Sequence, residues 1–112
     1  MQTVVELPSF LRDVEGTLSD KEREELKAHL AKKPRSGVVI QGTGGLRKIR
    51  WGAKGKGTRS GSRTIYFHHD SSMPIFLLAI FTKGEKTDLT SDEKKQMSKA
   101  TKALKENYGR RS

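Results

Sequence analysis

The sequence predicts an α+β fold, a small antiparallel sheet with an N-terminal helical hairpin and a C-terminal helix, in the order β-α-α-β-β-β-β-α. Two capping boxes, Ser19-Asp20-Lys21-Glu22 and Thr90-Ser91-Asp92-Glu93, mark helix starts. Between them the hydrophobic period changes from helical to alternating. Four β segments then follow in succession, which favours antiparallel pairing.

Thr3 to Leu7 alternates weakly, is rich in Val and ends at Pro8, as suits a short strand. Ser9 is placed to cap a short helix through about Glu15, with Phe10, Leu11 and Val14 on one side. The Ser19 box opens a second helix to about Lys33. Leu26, Leu30 and Ala31 form its apolar stripe, and Pro34 with Gly37 stops it. The β segments are Val38-Val39-Ile40, Leu46 to Trp51, Thr64 to His68, and Ile75 to Thr82. Ile75 to Phe81 is apolar on both parities, so it belongs inside the sheet with both faces covered. Gly42-Thr43-Gly44-Gly45 reads as a turn, and Gly52 to Gly61 as a long flexible hairpin loop. The last helix carries Met97, Ala100, Leu104 and Tyr108 at spacings of three and four and ends at Gly109.

The chain has 112 residues, so residues 1–112 are expected to form a single domain around one core. The longest apolar run, Ile75 to Phe81, is too short to cross a bilayer as a helix. With no signal-like N-terminal run and no cysteine, the expected location is the cytoplasm, without disulfides or a Cys-based metal site. Charge is distributed in blocks. Residues 1–25 carry a net −4; from Leu26 to His69 there are eleven Lys or Arg and no acid; residues 70–112 add +3, which completes the formal +10. A long acid-free stretch creates a local potential that attracts polyanions, so RNA, DNA or an acidic protein segment is the expected partner.

Within Leu46-Arg47-Lys48-Ile49-Arg50-Trp51, alternation puts Ile49 and Trp51 on one face and Lys48 and Arg50 on the other. The following loop adds Lys54, Lys56 and Arg59, and a single hairpin returns Arg63 close to Arg50. Like charges across strands repel, so such a gathering fits a functional basic site better than an ordinary solvated face. The glycines do not form a known nucleotide loop: neither Gly55-Lys56-Gly57-Thr58 nor Gly42-Thr43-Gly44-Gly45 matches the required spacing. His68 and His69 are adjacent and diverge, and His29 lacks a ligand partner at i+3 or i+4, so no metal or other cofactor is expected. The basic region has no carboxylate for acid–base work. What remains is phosphate chemistry by cations. An RNA brings its own nucleophile, the 2′-OH, and the protein need only align it, stabilise the phosphorane and assist proton transfer.

Beyond these deductions, several segments resemble the HigB-type toxins of the RelE superfamily. They are Val39 to Arg50, Lys54-Gly55-Lys56-Gly57, the Gly61-Ser62-Arg63-Thr64-Ile65-Tyr66 strand, and Phe81-Thr82-Lys83-Gly84-Glu85-Lys86-Thr87-Asp88-Leu89-Thr90. The resemblance implies a RelE-like fold and a type II toxin: a ribosome-dependent endoribonuclease that cleaves mRNA in the A site of the small subunit. It also implies a cognate antitoxin, commonly a DNA-binding repressor of the HigA kind. By position, Lys48 and Arg50 are similar to the family's basic strand pair and Arg63 to its phosphate-contacting arginine, while Lys83 or Lys86 falls where a further catalytic cation is expected. The resulting catalytic set is Lys48, Arg50, Arg63 and Lys83, with Arg47, Lys54, Lys56, Arg59 and Lys86 as RNA contacts. Where some members have a tyrosine after the last cation, this chain has Thr87-Asp88-Leu89, which leaves Lys48, Lys83 and the histidines as proton-acceptor candidates. Two other readings compete: a non-catalytic RNA- or ribosome-binding module of the same fold, and a domain whose basic face meets an acidic protein.

Overall fold

The computed structural model describes residues 2–52, 61–82, 84 and 88–109, with side chains through Asn107. Among them are β1 (Val4–Glu6), α1 (Pro8–Val14), α2 (Asp20–Lys32), β2 (Val38–Val39), β3 (Leu46–Trp51), β4 (Ser62–Phe67), β5 (Ile75–Thr82) and α3 (Ser91–Gly109). The order is the expected one. The strands form one sheet, β1-β5-β4-β3-β2, in which β2 to β5 are an antiparallel meander.

β1 adds to this meander as a parallel strand beside β5, Val4 opposite Ile75 and Glu6 opposite Leu77. The helical pair α1–α2 carries the chain from one edge of the sheet to the other. The meander then brings β5 back beside β1 in the same direction. β5 is interior as its sequence requires, but the middle strand is β4, buried along its whole length.

The sheet has a core on each face. On one, Phe10, Val14, Leu18, Leu26 and Leu30 pack against Ile49, Tyr66, Ile75, Leu77 and Ile80. Full burial of a side chain such as Phe10 or Leu26 stabilises the fold by roughly 1.5–3 kcal/mol. On the other face, Leu46, Ile65, Phe67, Phe76, Leu78, Phe81 and Leu89 form a second cluster, covered in part by Met97 and Leu104 of α3.

Both capping boxes form. Ser19 Oγ accepts from Glu22 N while Glu22 accepts from Ser19 N, and Thr90 and Glu93 do the same at α3. Ser9 does not cap α1; Leu7 occupies the cap position, Pro8 starts the helix, and the Ser9 hydroxyl donates to the Leu78 carbonyl, tying α1 to β5. Leu11 points outward at 45% exposure, because the sheet meets only the Phe10–Val14 stripe. In α3 the inward position is Thr101 rather than Ala100, since the stripe through Met97 and Leu104 passes between them.

Tyr66 locks the α2–β2 connection. Its hydroxyl donates to Pro34 O and accepts from Gly37 N, both at 2.8 Å, and a Cβ at Gly37 would stand 2.7 Å from that oxygen. In the turn before β3, Gly42, Gly44 and Gly45 all have positive φ, and buried Thr43 bonds Ile40 O and Leu46 N.

Candidate functional site: a cation cluster on the sheet face

Strand parity settles which cations share a surface. β3 pairs with β4 so that Arg50 stands opposite Arg63, Lys48 opposite Ile65, and Ile49 opposite Thr64. Lys48, Arg50 and Arg63 therefore project from the face that carries Leu46, Ile65 and Phe67. Directly opposed residues have Cβ atoms about 4.5–5.5 Å apart and diagonal neighbours about 7–8 Å. The three side chains thus leave the sheet from neighbouring positions on one face. Arg63 is buried to 7% exposure beside Phe81, its cross-strand neighbour on β5, and donates to Ser62 O at 3.3 Å, whereas Arg50 is exposed.

Arg47 does not join them. Its parity is that of Ile49, and its guanidinium donates to Gly37 O at 2.8 Å and Arg35 O at 3.3 Å, clamping the segment that Tyr66 also holds. The structure gives Arg47 a structural role there, on the face opposite to Lys48 and Arg50. Lys54, Lys56, Arg59, Lys83 and Lys86 lie outside the described residues.

The structure adds a carboxylate that the acid-free block did not foreshadow. Asp88, just before α3, approaches Lys48 Nζ to 3.4 Å, and its Oδ1 accepts from Leu89 N at 2.8 Å. The Leu89 amide, with smaller help from Lys48 and Lys94, holds the Asp88 carboxyl below its ordinary value despite partial burial. Asp88 is an anion at neutral pH. It pairs with Lys48 and is poorly suited to accepting a proton.

The histidines are not brought to the cluster. His68 follows Arg63 by five residues, roughly 17 Å along an extended strand. Its imidazole is pushed down by burial and by Arg35 and Arg47, so it is neutral at pH 7, with Nδ1 buried and unbonded. His69 stacks on Phe67 and faces Asp70. His29 meets the Trp51 ring and Ser36. Among the described residues no group of three or more His, Cys, Asp or Glu is arranged to hold a metal. A separate cleft of about 440 Å³ lies between α1, β5 and α3, floored by Leu78 and Phe81 and rimmed by Arg12, Asp13 and Glu93; none of the three clustered cations lines it.

Compared with solved structures, the chain is similar to the free-state structure of a double arginine-to-alanine variant of the E. coli toxin RelE. The TM-score is 0.58 at 18% identity, over 88% of this chain and 96% of the other. The fold is RelE-like. No family model matches the sequence. A RelE-like sheet therefore carries Lys48, Arg50 and Arg63 on the same face, with Arg50 exposed, Lys48 half-buried and Arg63 buried. No described helix is long and apolar enough to cross a membrane.

Proposed function

We propose that this protein is the toxin of a type II toxin–antitoxin pair, of HigB type, acting in the cytoplasm as a ribosome-dependent endoribonuclease on mRNA in the A site. The observation that supports this reading most is the register that sets Arg50 opposite Arg63 with Lys48 diagonal to it, on one face of a RelE-like sheet. Three cations at that spacing can surround one phosphodiester.

In the reaction the 2′-oxygen of the message attacks the adjacent phosphorus, the bond from phosphorus to the 5′-oxygen breaks, and the products are a 2′,3′-cyclic phosphate and a 5′-hydroxyl. Arg50 and Arg63 stay protonated and stabilise the charge on the phosphorane. Proton transfer from the 2′-OH and to the 5′-oxygen falls to Lys48 and Lys83, the lysines of the set. Lys54, Lys56, Arg59 and Lys86 hold flanking RNA. A site of this kind lacks a strong base, so alignment of the substrate carries much of the acceleration, and the ribosome supplies it. The partner that silences the toxin is a HigA-like antitoxin.

The test is cleavage of a defined message in a translating extract, with 5′ ends mapped by primer extension, for the wild type and Arg63→Ala, with and without ribosomes. Cuts that need ribosomes and vanish in the variant support the reading. Absence of cuts by folded wild-type protein would instead favour a non-catalytic RNA-binding module.

A further inference from the structure

α3 carries a second basic surface that the cleavage reading does not use. From Lys94 to Lys105 the helix contains Lys94, Lys95, Lys99, Lys102 and Lys105 and no acid. Its acids sit elsewhere: Asp92 and Glu93 in the first turn, where they complement the helix dipole, and Glu106 beyond Lys105. Lys95, Lys99 and Lys102 follow the i, i+4, i+7 spacing of one helical face, and all three are exposed. They span roughly 10 Å of helix. The opposite face is occupied, because Met97, Thr101 and Leu104 turn toward the sheet. Lys105 Nζ binds Gly44 O at 3.2 Å beside the Phe67 ring, and Lys94 stands near enough to influence Asp88. α3 therefore starts next to the Lys48 cluster and runs away from it across the same side of the molecule.

α2 provides the contrast. It mixes Asp20, Glu22, Glu24 and Glu25 with Lys21, Arg23, Lys27 and Lys32. On α3 the lysines are neighbours and repel one another without acids between them.

We propose that the outward face of α3, through Lys95, Lys99 and Lys102, docks on the phosphate backbone of folded RNA, separately from the sheet face that meets the message. The proposal rests on the RNA-directed reading above. The chemistry of the face selects this occupant. A protein interface calls for apolar or aromatic anchors and is depleted in lysine, whereas this stripe is bordered by Gln96, Ala100 and Ala103. A membrane surface would need the apolar side of the helix, which is already packed. Unpaired bases would need stacking platforms, and the described outer face has no aromatic side chain. Phosphates of an RNA helix need only accessible cations in a row.

The experiment measures binding of the full chain to a fluorescent RNA duplex of about 20 base pairs over a salt series. The variants are K95Q/K99Q/K102Q and, as a charge-matched control on the other layer, K21Q/K32Q/K33Q. Three lost phosphate contacts at about 0.9 each make the α3 variant's salt slope shallower by about 2.7, so its affinity loss between about 50 and 200 mM salt is roughly 40-fold smaller than that of the wild type. The α2 variant is expected to keep most of the wild-type slope. Equal slopes for wild type and α3 variant, or equal losses in both variants, overturn the proposal. The ribosome cleavage assay separates the two claims. Wild-type cutting with an unchanged α3 slope sinks only the docking face, while α3-dependent duplex binding without any cutting sinks only the toxin reading.

Discussion

Arg50→Gln should make the protein more stable and less active at once. Arg50 and Arg63 are register partners, so two like charges are carried at directly opposed positions of β3 and β4. Like charges in directly opposed positions destabilise a sheet by a few tenths to about 1 kcal/mol, and glutamine keeps most of the side chain's length and its fit to an exposed strand position. A gain of about 0.5 kcal/mol corresponds to about 2 °C in Tm for a chain of this size. At about 1 M salt the Debye length falls to about 3 Å, so the gain should largely disappear. Losing one preorganised donor to the phosphorane should lower the cleavage rate by about 10²–10³. Thermal melts followed by circular dichroism at low and high salt, with cleavage measured on the same preparations, supply both readouts. A lower Tm, or a rise insensitive to salt, would show that the arginine pair is not held against repulsion. A stabilised variant that still cuts at the wild-type rate would remove Arg50 from the site.

Other parts of the molecule make further predictions. Tyr66→Phe strips the buried Gly37 amide and the partly buried Pro34 carbonyl of their partner and should cost about 1–3 kcal/mol in urea unfolding, while Gly37→Ala should be destabilising because its Cβ would meet the Tyr66 hydroxyl at 2.7 Å. Glu6 joins β1 to α2 through Arg23 at 2.6 Å and Lys27 at 3.2 Å. Burial opposes its charge, but the bonds to Arg23 and Lys27 outweigh that and hold its pKa below 4.5. A depressed carboxyl stabilises the fold above its unfolded value and ceases to do so as pH falls through the folded one. Unfolding free energy should therefore drop below about pH 4.5, and Glu6→Gln should flatten that part of the curve in a urea titration across pH. Asp88→Asn frees Lys48 from an ion pair that an incoming phosphate must otherwise displace. A half-exposed pair is worth about 1 kcal/mol at most, so RNA affinity at low salt should rise by up to about fivefold in a filter-binding assay. Weaker binding would mean that Asp88 orients Lys48 rather than competing for it.

The fold was legible wherever local signals and the tertiary environment agreed. The capping boxes at Ser19 and Thr90 form as read, because a hydroxyl three residues before a glutamate closes on itself without help from the rest of the chain. Two features depend on partners remote in sequence. Ser9 bonds Leu78, 69 residues away, instead of capping its helix. The parallel pairing of β1 with β5 depends on where the helical pair delivers the chain. For the site, parity alone put Lys48 and Arg50 together. The same parity puts Arg47 on the opposite face, where it bonds Gly37 O and Arg35 O. Asp88 was hidden because it reaches Lys48 from 40 residues downstream, and only the packing of α3 against the sheet brings the two within 3.4 Å.

If the cations on this sheet face promote attack by the message's own 2′-oxygen, removing that oxygen must stop the reaction. The decisive substrate is a ribosome-bound message carrying a single 2′-deoxynucleotide at the mapped cleavage position. With the 2′-oxygen as nucleophile, the cut at that position disappears, cuts elsewhere persist, and the unmodified message yields a 2′,3′-cyclic phosphate and a 5′-hydroxyl. Cleavage of the deoxy-substituted message at the same bond at an undiminished rate would contradict this mechanism, because the nucleophile would then have to come from water or from the protein.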